Sequence, residues 1–166
     1  MKIVAIKIID RIKEAGETQA VLSKHASEII TRLGFHEVTD AVCSREAVMI
    51  LQLMDGADSI KKDLQEVGGL VVRYVGFESN GSDTDYDLDS AADIIVFSTG
   101  KKAAVIHTVQ EILTSYGCNI RTRLGISLDE GHGLIVLELL GDDKQRLLLE
   151  NDLKCVDGVD VRKMVF

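Results

Sequence analysis

The sequence predicts an α+β protein made of two copies of a small β-α-β-β-α-β unit, and three observations predict it. Gly69-Leu70-Val71-Val72-Arg73-Tyr74-Val75-Gly76-Phe77 returns as Gly158-Val159-Asp160-Val161-Arg162-Lys163-Met164-Val165-Phe166, so both fit Gly-(aliphatic)-x-Val-Arg-x-x-x-Phe, at an offset of 89 residues. A period of half the chain means one unit used twice, not a many-copy solenoid. Within each half, strand-type apolar runs and helix-type apolar spacing follow one another in the same order. The composition, 46% hydrophobic and 4% aromatic, gives an aliphatic core of the kind buried sheets use.

Lys2 to Ile9 alternates and then runs apolar, as a central strand does. Asp10 to Gly16 breaks that pattern. From Glu17 to Leu33 the apolar residues Leu22, Ala26, Ile29, Ile30 and Leu33 keep helical spacing, and Gly34 stands where a left-handed cap is wanted. Phe35 to Val42 and Ala47 to Met54 read as strands joined by Cys43-Ser44-Arg45-Glu46. A short helix, Ala57 to Val67, is ended by Gly68-Gly69, and the repeated strand Leu70 to Phe77 closes the unit. Residues 1–77 therefore form the first domain.

Residues 78–90 (ESNGSDTDYDLDS) are acidic and almost without apolar side chains, so they read as a solvated linker. The alternating Asp83, Asp85, Asp87 and Asp89 lack the glycine and closing glutamate of an EF-hand loop. Residues 91–166 form the second domain: a strand from Asp93 to Ser98 and a helix from Lys101 to Tyr116 capped by Gly117. A hairpin of Cys118 to Leu128 with Gly133 to Leu140 turns at Asp129-Glu130-Gly131, before a helix from Asp142 to Val156 and the last strand. Matching Gly34 to Gly117 makes the second hairpin the longer one. The element order closes as a ferredoxin-like sandwich: an antiparallel sheet with both helices on one face. The other face stays open, so the halves are expected to pack on each other and on a second chain as a homodimer.

Formal net charge is −8 and the pI about 5.0, which leaves no footprint for a phosphate backbone and argues against direct nucleic-acid or anionic-membrane binding. No run reaches membrane-spanning length, and the first ten residues read as a strand, not a signal peptide; the expected location is cytoplasmic. Cys43, Cys118 and Cys155 are odd in number and lack a C-x-x-C pair, so reduced thiols are expected. No nucleophile elbow, phosphate loop or cofactor motif stands out, which predicts a non-enzymatic protein without a cofactor.

Glu111-Ile112-Leu113-x-x-Tyr116-Gly117-x-x-Ile120-x-x-Arg123-x-Gly125-Ile126, followed by Gly133-Leu134-Ile135-Val136-x-x-x-Leu140 and Val156-x-Gly158-Val159-x-Val161, resembles the family of iron-only hydrogenase system regulators. That family is ACT-like and similar to the ligand-sensing domain of nickel-responsive repressors. The resemblance covers about 70 residues of the second half; the first half matches only in element order and in its terminal strand. It implies two tandem ACT-like domains engaged in regulation through a small ligand, with any effect on transcription exerted through a partner regulatory protein.

ACT-like domains bind small molecules where the first strand meets the first helix, which here implicates Ser98, Thr99, Gly100, Lys101 and Lys102. Exposed N–H groups, a close-approaching glycine and lysines suit a small anion there. The Asp-x-Pro-Gly pattern common in amino-acid-binding ACT domains is missing, since the chain has no proline. Arg121 and Arg123 alternate along one strand and are expected to share a sheet face, with Arg162 beside them, for gripping an anion or making salt bridges. His107 and Glu111, one helical turn apart, with Cys118 nearby, raise a nickel or zinc sensor, but the His-x-His strand pair of the nickel sensors is missing and no metal site is assigned. A protein-interaction module working through its open sheet faces is the further alternative.

Overall fold

The computed structural model describes residues 1–36, 38–39, 42–77, 89–99, 103–128 and 132–166. It divides into two compact units, Met1–Asp83 and Thr84–Val165. The expected linker residues 78–88, with Asp83, Asp85 and Asp87, lie outside the described residues, as do Gly100, Lys101, Lys102 and the turn 129–131.

In the first unit β1 (Lys2–Ile8) leads through α1 (Arg11–Lys24) and a 3-10 turn (Ala26–Glu28) to β2 (Ile29–Phe35). A small hairpin of β3 (Val38–Thr39) and β4 (Val42–Cys43) precedes β5 (Ala47–Leu53), α2 (Ser59–Glu66) and β6 (Leu70–Gly76). The main sheet has the order β2-β5-β1-β6 and is antiparallel throughout. Alternate residues of β1 and β5 point to the helices, so Val4, Ile6, Met49 and Leu51 meet Leu22 of α1 and Ile60 and Leu64 of α2 in one core. Each such side chain contributes about 1.5–3 kcal/mol on burial.

Two expectations fail here. The first helix begins at Asp10, whose carboxylate accepts from the backbone N–H groups of Ile12 and Lys13, and it ends at Lys24 instead of Leu33. Gly34 is therefore inside β2, not a cap, and the expected strand Phe35 to Val42 is displaced to Ile29–Phe35. The reason is that Ile29, Thr31, Leu33 and Phe35 satisfy a period of two as well as Ile29, Ile30 and Leu33 satisfy a helical one.

The second unit runs β7 (Ile94–Thr99), α3 (Ala103–Ser115), a 3-10 turn (Gly117–Asn119), β8 (Ile120–Ser127), β9 (Gly133–Leu139), α4 (Asp143–Lys154) and β10 (Val159–Met164). Its sheet order, β10-β7-β9-β8, is that of the first unit read from the opposite edge. Ile95, Phe97, Leu137 and Leu139 pack against Val109 and Leu113 of α3 and Leu149 and Leu153 of α4. Ile29-Ile30-Thr31-Arg32-Leu33-Gly34-Phe35 and Ile120-Arg121-Thr122-Arg123-Leu124-Gly125-Ile126 occupy equivalent strands, each with a register shift after its first residue. Gly34 thus corresponds to Gly125, not Gly117. The longer connection is in the first unit, residues 36–46 against 128–132, the reverse of the expectation. Among the described residues no helix is long and apolar enough to cross a membrane, and the three cysteines are free and exposed.

Candidate functional site

The first unit holds a cavity of about 570 Å³ between α1 and the β2–β5 edge of its sheet. It forms because the stripe of α1 that faces the sheet is Glu14, Thr18 and Leu22, all buried, of which only Leu22 is apolar. Arg11, Thr18 and Gln19 line it from the helix and Arg32 and Gly34 from β2, with His36 just beyond that strand, while Ile8 and Met49 supply an apolar wall. Gly34 keeps the floor open, since a Cβ built there meets no atom within 4 Å.

Arg11 donates through Nε to the carbonyl of Ser44 at 2.8 Å, and Arg32 through Nη1 to Oε1 of Gln19 at 2.9 Å. Neither guanidinium has a carboxylate within salt-bridge distance among the described residues. Other cations of the unit do: Lys7 with Glu46 (3.6 Å), Lys13 with Glu14 (3.3 Å), Lys24 with Asp63 (2.6 Å) and Arg45 with Asp10 (2.6 Å). The Arg45 guanidinium beside Asp10 holds that carboxyl below the usual carboxylate range, which keeps the helix cap charged. Thr18 is only 3% exposed, and its hydroxyl has no hydrogen-bond partner. Two guanidiniums without a carboxylate partner beside an apolar wall can hold a small anion.

The residues implicated by sequence are only partly brought together. Thr99 is buried at the end of β7 and Ser98 is half-buried beside it, while Gly100 and Lys101 lie outside the described residues. Arg121 and Arg123 do not share a face, because the register shift between Ile120 and Thr122 interrupts the alternation. Arg121 pairs with Glu138 of β9 (3.6 Å), whereas Arg123 turns to the helices and donates to Oε1 of Gln110 on α3 (3.0 Å). Arg162 lies opposite Val96, on the face away from the helices, with Asp160 at 3.2 Å. Arg123–Gln110 is the counterpart of Arg32–Gln19. Sequence reasoning missed Arg11, Thr18, Gln19 and Arg32, and the motif I-x-T-R-L-G, shared by β2 and β8, was the signal that could have located Arg32 from Arg123.

His107 and Glu111 are 3.6 Å apart on the surface of α3, and among the described residues no three His, Cys, Asp or Glu side chains gather as a metal would need. His25, at the end of α1, is instead enclosed by Glu28 (3.0 Å from Nδ1) and Asp63 of α2 (2.7 Å from Nε2). The Asp63 hydrogen bond, then that of Glu28, raises the imidazole above its ordinary range, and His25 and then Lys24 lower Asp63. In the second unit Tyr116 takes that place, donating its phenol to Asp152 at 2.6 Å, and this bond raises its own titration.

Fold and cavity together define a protein of two antiparallel α+β units, each with the element order of a ferredoxin-like sandwich, the first carrying an anion-receptive hollow. Similar solved structures include an uncharacterized protein from Thermotoga maritima, 24% identical over 43% of this chain and 90% of that one, with a TM-score of 0.41. A protein from Bacteroides thetaiotaomicron is 13% identical over 98% of this chain and 91% of its own (TM-score 0.41). The regulatory subunit of aspartate kinase from Thermus thermophilus is 16% identical over 93% of each chain (TM-score 0.37). No protein-family model and no curated protein matches the chain.

Proposed function

We propose that this is a non-enzymatic regulatory protein that senses a small anionic ligand where the first strand of a unit meets its first helix. The observation that carries the reading is the pair Arg11 and Arg32: in a chain of net charge −8, two guanidiniums line one cavity and neither meets a carboxylate among the described residues. A positive, partly enclosed hollow of this size suits a small molecule. The described lining holds two guanidiniums and one imidazole, His36, and no carboxylate or thiol. The ACT-like resemblance of the second half supports regulation over chemistry. The same reading makes Ser98, Thr99, Gly100 and Lys101, with Arg123, the second unit's counterpart, and leaves Arg121 to its ion pair with Glu138.

Thermal unfolding with millimolar carboxylates, phosphates, nucleotides and divalent metals tests this. A ligand at a hundred times its Kd stabilises the folded state by about 2.7 kcal/mol, so anionic compounds should raise Tm by several degrees. Arg11→Gln and Arg32→Gln should reduce that rise. A Tm that no anion moves would end the sensing reading.

A further inference from the structure

The chemistry of the first unit's cavity narrows its ligand, and this step rests on the sensing function proposed above. Arg32 and Gly34 of β2 and His36 just beyond it alternate and are all exposed, so they share one face of an edge strand, and with Arg11 of α1 they line the cavity. Each guanidinium is oriented by one neutral acceptor, the Ser44 carbonyl for Arg11 and Oε1 of Gln19 for Arg32, which occupies one of its five N–H groups. The carboxylates nearest in sequence, Asp10 and Glu14 beside Arg11 and Glu46 before β5, are paired instead with Arg45, Lys13 and Lys7. Among the described residues the cavity therefore offers more positive charge and more N–H donors than the protein itself answers. A carboxylate brings one negative charge and a single oxygen edge for a guanidinium fork. A phosphate group brings nearly two charges near neutral pH and several such edges, so it matches two forks in charge and in shape. Ile8 and Met49 leave an apolar side to the same space, where the carbon body of an ester fits.

We propose that this cavity is a phosphate site, which selects a phosphate group over a carboxylate. Arg11 and Arg32 each span one oxygen edge of the phosphate, and the His36 imidazole donates to a remaining oxygen. The forks make the selection and not charge alone, because an ammonium group presents no paired N–H edge. In the second unit Ser127 stands at the position of His36, so β8 does not repeat the set.

Calorimetric titration of the full chain with inorganic phosphate, monobutyl phosphate, butanoate and succinate separates shape from charge, since succinate carries two charges on two separate carboxylates. Ionic strength is held fixed, at about pH 7.5, where the phosphates are mostly doubly charged. Both phosphates should bind about tenfold more tightly than butanoate, the worth of one further charge-assisted contact, and more tightly than succinate. Arg11→Gln and Arg32→Gln should each bring the phosphates down to the level of butanoate. Arg32→Lys, which keeps the charge and loses the fork, should do the same, and Arg32 is exposed, so its substitution leaves the core intact. His36→Gln should weaken the phosphates by a smaller factor, and Lys62→Gln, which removes a charge from the exposed face of α2, should leave them unchanged. Tighter binding of monobutyl phosphate than of inorganic phosphate assigns the site to phosphate monoesters, and the reverse order assigns it to free phosphate. Butanoate or succinate binding as tightly as the phosphates, a phosphate preference that survives Arg32→Gln or Arg32→Lys, or an equal loss in Lys62→Gln would overturn the inference. So would no binding of either phosphate; if carboxylates still raise Tm, anion sensing stands without it.

Discussion

At Gly69 the backbone is left-handed, with φ of +77°, and a Cβ added there would lie 2.8 Å from Oε1 of the buried Glu14. Its counterpart Gly158 has φ of +82°, but a Cβ there meets nothing within 4 Å. Alanine at Gly158 should therefore cost only the backbone strain, about 1–2 kcal/mol, and alanine at Gly69 distinctly more, because Glu14 must also move. Urea unfolding of the two variants measures this, and equal losses would contradict it. His25 sets the second residue-scale prediction. Its titration is raised in the folded state, so its contribution is complete below the ordinary histidine value of about 6.5 and is lost as pH rises through the raised one. Asp63, lowered, contributes above its ordinary value and loses that contribution as pH falls through the depressed one. Stability of the wild type should thus decline as pH rises above about 6.5 and through the raised value. His25→Tyr, which installs the second unit's partner, should flatten that decline; an unchanged slope in denaturant titrations would remove His25 as its source.

Among the elements, α1 is where sequence and structure part. β1, β5, β6 and the described strands and helices of the second unit were legible because their apolar residues follow one period, with Val109 and Leu113 buried on α3 as their spacing requires, although Gly117 stands in a 3-10 turn and is not a left-handed cap. Helix α1 was not, since Glu14 and Thr18 occupy core-facing positions that periodicity reserves for apolar residues. The polar lining of the cavity is thus the feature that hid the helix, and with it Arg11 and Thr18. Beyond the α1 terminus the isoleucines of β2 then fitted a helical spacing by coincidence. Gly16 belongs to this element as well: it stands mid-helix with open space at its Cβ position. Gly16→Ala should stabilise the protein by about 0.5–1 kcal/mol, visible as a higher Tm; a lower one would show that the helix needs the glycine. The two units also solve one packing problem differently. Lys61 of α2 stacks on Tyr74 of β6 at 3.7 Å, whereas α4 and β10 place a buried Glu150 beside Lys163 (3.4 Å) at the equivalent positions.

At the scale of the whole molecule, the two units are built alike and differ in detail. They share element order, strand order, the I-x-T-R-L-G strand with its register shift, and an arginine-to-glutamine bond from strand to first helix. They differ where the first unit opens its cavity: Ala15, Gly16 and Thr18 correspond to Ile106, His107 and Val109 in the second. With Arg11 beside Arg32 at its cavity, the first unit is where the sensing proposed above places the ligand. Titration of the wild type, Arg32→Gln and Arg123→Gln with the anion that raises Tm most separates the copies most directly. The first substitution should weaken binding about tenfold or more, and the second should leave it within about twofold. Equal losses in both variants, or none from Arg32→Gln, would contradict the account.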